Sequence, residues 1–352
     1  MKRILIRVDA DEYIGMGHFM RSLALAQECK RVGYQPVFVM SKKCTQAELI
    51  LEDEGMRIKY LNAGIGSVND ARKVVCLAEA LSAGWIVLDG YCFGAEYQKT
   101  LKKAGLYLLC IDDYGHASNY YADIIVNQNL TASEKFYCKR KPYSKLLLGT
   151  RYVLLRSDFL SWKSHKRVIR TTANRLLVTM GGSDPRNSTT KVIKALLRLK
   201  TSMLKVKVVV GALNPNYDKL SRLAVNKIMP LEIIRDSRNM PQLMAWADIA
   251  ISAAGSTCWE LAFMKLPAVV IVTAGNQKKN AEKLGYEDVA INLGEEYKVA
   301  IGDISSSVEA LMNSYSRRKK MLMKGRSLVG GDGAKKVVKE MLSLVIKTTL
   351  MV

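Results

Sequence analysis

Apolar and polar positions fall in blocks along this chain. Short runs of branched apolar residues are each followed by a polar loop and then by a stretch with helical spacing. Arg3–Val8 (RILIRV) reads as a buried strand. His18–Arg31 carries Met20, Leu23, Ala24, Leu25 and Ala26 at roughly helical spacing, and Gly33 ends it. Pro36–Met40 predicts a strand, Ala47–Glu54 a helix stopped by Gly55, and Arg57–Leu61 a third strand. A helix capped by Asn69 is expected to run to about Ala83, followed by the strand Trp85–Asp89, the helix Ala95–Ala104 and the strand Tyr107–Asp112. Ile124–Asn127 and Leu146–Leu148 are further short strands.

From Gly149 to Thr172 the alternation lapses into a basic stretch with Arg151, Arg156, Lys163, Lys166, Arg167 and Arg170. A second series then begins. Its predicted strands are Leu176–Met180, Val206–Val210, Leu231–Ile234, Ile249–Ser252 and Ala268–Val272. Its predicted helices are Ser188–Leu199, Pro215–Val225, Met240–Ala247 and one from Gly255-Ser256-Thr257 to about Met264. The remainder is expected to be mostly helical, chiefly Val308–Asn313, Ser316–Lys324 and Ala334–Ile346. Strands alternating with helices imply βαβ units and parallel sheets. The expected fold class is therefore α/β, with two Rossmann-like domains in tandem and a cleft between them: residues 1–150, a connector at 151–172, and residues 173–352. Ligands in such sheets bind beyond the carboxyl ends of the strands, so the loops that follow strands are the ones to inspect.

Composition narrows the function classes. The chain has 352 residues, 49% hydrophobic and 24% charged, which suits about two globular domains. No apolar run reaches the roughly 18–20 residues of a membrane span, and Arg7, Asp9, Asp11 and Glu12 interrupt any signal-like start, so a cytoplasmic protein is expected. The seven cysteines are scattered without a C-x-x-C pair, which argues against a zinc site or disulfide framework. Lys+Arg of 54 against 32 for Asp+Glu gives a net charge of +22, suited to anionic ligands. The excess is spread along the chain and no nucleic-acid motif accompanies it, so a Lys-rich surface is its simplest meaning and no nucleic-acid partner is expected. Walker A, H-E-x-x-H, EF-hand and G-x-S-x-G patterns are absent.

Three loops carry candidate chemistry. After the first strand, Gly15 and Gly17 precede His18 at a strand-to-helix turn, where free N–H groups favour an anion and an imidazole can act as a base. Alternatively, His18 caps the helix or packs on the loop. In Met180–Asn187, Gly181 and Gly182 can present backbone N–H groups to a phosphate, or the loop is a tight turn with Asp184 or Asn187 as a cap. In Ala253–Glu260, Gly255, Ser256 and Thr257 suit a diphosphate at a helix N-terminus, with Glu260 one turn on; the alternative is a capping arrangement of Ser256 or Thr257 with Glu260. Asp89, Asp112 and Asp113 end strands and either orient His18, hold substrate hydroxyls or cap helices; His116 is assigned no role.

The segments IGMGHFMR, LDGY, IDDYG, ADIIVNQN, LLLGTRYVLLRSDF, VTMGGSDPRN, AWADIAISAAGSTCWELAFMKLP and GNQ, in this order, resemble the UDP-sugar hydrolases of pseudaminic acid biosynthesis, from Arg3 to about Asn280. The resemblance implies a glycosyltransferase-B fold, common ancestry with the N-acetylglucosaminyl transferase of peptidoglycan synthesis, and water as the acceptor. It implies that His18 activates a water which attacks the anomeric carbon of a UDP-activated diacetamido-trideoxy hexose, with inversion and release of UDP. It further implies substrate contacts from Gly17 and Arg156 and nucleotide contacts from Glu260 and Asn276, with no cofactor and no metal. The partners expected are the UDP-sugar and other enzymes of the sugar pathway. One alternative is a glycosyltransferase that uses a lipid or glycan acceptor, its basic surface meeting an anionic membrane peripherally; another is a non-catalytic nucleotide-sugar or nucleic-acid binder.

Overall fold

The computed structural model describes residues 2–199, 201, 203–224 and 229–349. By its internal contacts the chain forms two compact units. Unit 1 comprises Met1–Ser157 and Gly331–Val352; unit 2 comprises Asp158–Gly330.

Unit 1 follows the alternating blocks closely. Its elements are β1 (Arg3–Val8), α1 (Gly17–Arg31), β2 (Gln35–Met40), α2 (Thr45–Asp53), β3 (Arg57–Tyr60), α3 (Val68–Ala80), β4 (Ala83–Asp89), α4 (Ala95–Lys103), β5 (Tyr107–Ile111), β6 (Ile124–Asn127) and β7 (Lys145–Leu148). The seven strands pair in parallel in the order β3-β2-β1-β4-β5-β6-β7. Most residues of β1, β2, β4 and β5 are buried, as expected of a parallel sheet covered on both faces. Gly33 closes α1 as expected: it takes φ +93° and its N–H reaches Lys30 O at 3.0 Å. The cap of α3 is Ser67 rather than Asn69; its hydroxyl accepts from Asp70 N–H at 3.1 Å, which starts the helix two residues earlier.

Beyond the short turn α5 (Ser157–Leu160), unit 2 contains β8 (Arg175–Thr179), α6 (Ser188–Leu197), β9 (Lys205–Val210), α7 (Tyr217–Ala224), β10 (Leu231–Arg235), α8 (Met240–Trp246), β11 (Ile249–Ala253), α9 (Thr257–Phe263), β12 (Ala268–Val272), α10 (Lys278–Tyr286), β13 (Ala290–Glu295), α11 (Ile301–Asn313) and α12 (Tyr315–Leu328). Its six parallel strands run β10-β9-β8-β11-β12-β13. The expected end of α7 at Val225 lies outside the described residues. Strand β13 departs from the mostly helical reading of this region. It pairs with β12 through an irregular register and is only partly buried, so Asn292 and Gly294 break its apolar signal.

The domain boundaries also differ from those expected. The last helix, α13 (Gly333–Thr349), belongs to unit 1 rather than to the second domain. It packs on α1 and on the 3-10 turn Thr150–Tyr152, and Lys145 Nζ meets Glu340 Oε2 at 2.5 Å. The segment 151–157, read as connector, is likewise part of unit 1, leaving residues 158–172 as the lead into β8. No helix among the described residues is long and apolar enough to cross a membrane.

Candidate active site

Both sheets have the strand order in which the chain reverses direction of growth between the first and fourth strands, opening a crevice at their carboxyl ends. In unit 1 that switch point lies between β1 and β4. The β1–α1 loop supplies His18, and β4 ends on Asp89. Gly15 takes φ +73° where the chain turns into α1, and its N–H reaches Asp11 O at 2.8 Å. Gly17 is the first residue of α1, and no side chain caps this end.

Here a dense polar cluster forms. His18 Nδ1 lies 2.6 Å from Asp89 Oδ1. Arg21, one turn further along α1, forks onto Asp89 through Nε (2.8 Å) and Nη2 (2.7 Å). Ser22 Oγ donates to Asp89 Oδ2 at 3.0 Å. Burial would raise the Asp89 carboxyl, but Arg21 and His18 hold it down to about 2. An ionised carboxylate only accepts, so Nδ1 carries the hydrogen of the His18–Asp89 bond. A neutral ring then has a bare Nε2, the arrangement of a general base. Arg21 Nη2, 3.0 Å from Nδ1, is then a close neighbour of that nitrogen rather than its donor.

Arg21 Nη1 also pairs with both oxygens of Asp113, at 2.8 and 2.9 Å. Asp113 further accepts from Tyr91 Oη (2.5 Å) and Asn129 Nδ2 (2.8 Å). The Tyr91 ring meets the His18 ring edge-on, with centroids 5.0 Å apart. Of the three strand-end aspartates, Asp89 thus orients His18 and Asp113 holds Arg21. Asp112 serves the turn after β5, accepting from the backbone N–H groups of Asp113, Tyr114 and Gly115, from Tyr120 Oη and from His116 Nδ1 (3.0 Å). These contacts hold its carboxyl well below the usual range despite burial. Arg21 was visible in the sequence three residues after His18, on the same helical face, but periodicity does not reveal its two carboxylate partners.

A second buried network braces the same sheet edge. Arg7, near the carboxyl end of β1, donates to Asp70 (3.1 and 2.9 Å), Asp9 (2.6 Å), Ser41 Oγ (2.5 Å) and Val39 O (3.2 Å). Removing one partner of such a buried pair costs about 3–5 kcal/mol.

Arg156 also lies in unit 1, in the segment after β7. Leu154 N–H donates to Gln128 Oε1 (2.9 Å) and Ser157 N–H to Gln27 Oε1 (2.8 Å), fixing this segment beside the C-terminal half of α1. His18 stands at the opposite end of that helix.

The remaining candidates belong to unit 2. Strands β8, β11 and β12 are neighbours, so the loops that follow them lie along one sheet edge. They carry Gly181 and Gly182; Gly255, Ser256 and Thr257, with Glu260 on α9; and Asn276. Asp184 is a cap, accepting from Ser188 N–H (2.8 Å) and Thr189 N–H (2.9 Å). Gly181 takes φ +97°, and Gly182 lies so close to Gly211 that a Cβ there would fall 2.1 Å from Gly182 O. Ser256, the residue before α9, makes no side-chain capping hydrogen bond, so the cap considered at that position is not formed. Gln277 ties down the neighbouring loop, its Oε1 accepting from Thr273 N–H at 2.9 Å. Glu260 is half-buried and Asn276 exposed. Among the described residues, no group of three or more His, Cys, Asp or Glu side chains is placed to hold a metal ion.

Two parallel-sheet α/β units in tandem define a glycosyltransferase-B fold, and MurG of Acinetobacter baumannii shares it with a TM-score of 0.68 at 14% identity, over 97% of this chain and 100% of MurG. Residues 175–340 match the glycosyltransferase family 28 C-terminal domain. The chain is 27% identical over 278 residues to the uncharacterized protein MJ1062 of Methanocaldococcus jannaschii, covering 76% of this chain and 55% of that protein. It is 25% identical over 275 residues to the pseudaminic acid cytidylyltransferase and UDP-2,4-diacetamido-2,4,6-trideoxy-beta-L-altropyranose hydrolase of Helicobacter pylori, covering 69% of this chain and 50% of that protein. The chain thus spans about half the length of these two relatives.

Proposed function

We propose that this protein hydrolyses a UDP-activated diacetamido-trideoxy hexose, with His18 as the base. The observation that carries the reading is the 2.6 Å contact between His18 Nδ1 and the buried Asp89 carboxylate, which leaves Nε2 to take a proton. In this reading Nε2 removes a proton from water as the water oxygen bonds to the anomeric carbon. The bond from that carbon to the diphosphate oxygen breaks, its electron pair leaves with UDP, and the configuration inverts. Backbone N–H groups of Gly181, Gly182, Gly255, Ser256 and Thr257 meet the diphosphate charge. Glu260 and Asn276 hold the nucleotide and Gly17 contacts the sugar, whereas Arg156, held near the far end of α1, would reach only a part of the substrate remote from His18. The named activity of the Helicobacter pylori relative supports the choice of sugar.

The family 28 match over residues 175–340 favours a second reading, transfer to a lipid or glycan hydroxyl. The same base would then deprotonate the acceptor instead of water. Incubation of the purified chain with UDP-2,4-diacetamido-2,4,6-trideoxy-β-L-altropyranose, with and without chelator and acceptor, separates the two by NMR of the anomeric signals. UDP and an inverted free sugar without acceptor support hydrolysis, and turnover only with acceptor supports transfer. Full activity in folded His18→Ala would remove the base from either scheme.

A further inference from the structure

We propose that Asp113, acting through Arg21, is a positioning residue whose charge balances the one His18 acquires on taking a proton. This rests on the reading of His18 as a base.

The argument is a count of charges in a nearly closed cluster. The groups that face His18 are Asp89 from β4, Arg21 from α1 and Tyr91 from the loop after β4. Tyr114 and His116 pack against Tyr91, and His116 is bound to Asp112. Asp112 is occupied by its own turn. Asp113 accepts four side-chain hydrogen bonds, two from Arg21 and one each from Tyr91 and Asn129, which suits an ionised carboxylate. Its main-chain carbonyl is held by Asn127 Nδ2 at 3.0 Å, and that amide is itself in contact with Tyr137 Oη at 2.9 Å. Asp113 is therefore held from β6 through its backbone as well as by Arg21 through its carboxylate.

Asp89, Asp113 and Arg21 together carry one net negative charge beside a neutral imidazole. A proton on His18 brings the cluster to neutrality. Without Asp113, Arg21 would cancel Asp89, and the imidazolium would stand uncompensated in a site where charge is weakly screened. Asp113 touches neither His18 nor the reacting atoms in this scheme; its effect passes through the Arg21 fork.

The test is an NMR titration of the full chain with labelled histidine, comparing wild type with Asp113→Asn and Arg21→Gln. Asp113→Asn should lower the His18 titration midpoint by about half a pH unit or more, and Arg21→Gln should raise it, because opposite charges are removed. Asp113→Asn should also lower kcat more than it alters KM, with partial recovery in Asp113→Glu. A His18 midpoint unmoved by Asp113→Asn, or moved the same way by both variants as a packing defect would do, overturns the proposal. If Arg21→Gln does not fold, the sign of the Asp113→Asn shift decides alone. A wild-type protein that releases no UDP removes the hydrolase reading, while the titration still judges the coupling.

Discussion

Asp89→Asn is the substitution that asks most of the candidate site, because it keeps the shape of the side chain and removes its charge. Asp89 accepts at both oxygens: Oδ1 from His18 Nδ1 and Arg21 Nη2, Oδ2 from Arg21 Nε and Ser22 Oγ. An asparagine has one oxygen for these four donors. With its NH2 on the Oδ2 side, it opposes Arg21 Nε–H. With its NH2 on the Oδ1 side, it forces His18 Nδ1 to become the acceptor, which moves the ring proton to Nε2 and abolishes the base. Either way one charge-assisted bond from Arg21 is lost and the other weakened. At about 1.5–3 kcal/mol for each such bond, the cost is about 3 kcal/mol. That is below the roughly 5–15 kcal/mol of a typical domain, and Arg21 keeps Asp113, so the variant should fold. In the first orientation a neutral amide oxygen no longer offsets the imidazolium charge, and in the second the base is lost, so the rate should fall by about 10²–10⁴, toward the upper end in the second.

The assay combines UDP release, a denaturant melt and the ¹⁵N shifts of His18, which report the tautomer directly. Near wild-type kcat in folded Asp89→Asn would refute the orienting role. A loss of rate with the hydrogen still on Nδ1 marks the first orientation, and one with it on Nε2 the second.

Other predictions follow from separate parts of the molecule. Gly211→Ala places a methyl 2.1 Å from the backbone oxygen of Gly182, so it should cost about 1–3 kcal/mol and weaken UDP binding about tenfold; unchanged affinity by calorimetry would detach the Gly181–Gly182 loop from the nucleotide. Gly333→Ala puts its Cβ 2.1 Å from Val153 O and should loosen α13 from unit 1, read as faster proteolysis after Gly330 and a melt lowered by about 1–3 kcal/mol. Asp89, held at about 2 against an ordinary 3.8, should stabilise the fold above about pH 4, and this contribution should fade as pH falls through 2. Melts between pH 5 and 2 should therefore show the gap between wild type and Asp89→Asn closing toward acid.

Much of the architecture was legible because parallel strands buried on both faces need continuous apolar runs, and glycine marks the turns between them. Ile124–Asn127 and Ala268–Val272 could be read to the residue for that reason. Strand β13 could not, since a partly buried strand with an irregular register shows no such run. Nor could the attachment of α13: the apolar stripe of a helix shows that it packs, but not on which sheet. In the site, His18 stood out by its place after two glycines in a chain with three histidines. The division between Asp112 and Asp113 was not readable. Adjacent carboxylates look alike in sequence, and only the turn after β5 sends one into its own backbone and the other to Arg21.

Over six strands the two sheets share one order, with β7 the extra strand of the first, yet their switch points are built from different materials. At the end of β1 and β4, charged side chains meet in a largely buried cluster in which Asp89 and Asp113 share Arg21 and Asp89 holds His18 Nδ1. The loops after β8 and β11 carry glycines and small hydroxyl residues, and the carboxylate of the first of them, Asp184, accepts from Ser188 and Thr189 N–H as a cap. A site that receives a diphosphate needs donors without a competing negative charge nearby, and a site that moves a proton needs the reverse. In the proposed reading, the glycine loops of unit 2 would receive the anionic leaving group and the charged cluster of unit 1 would set the base.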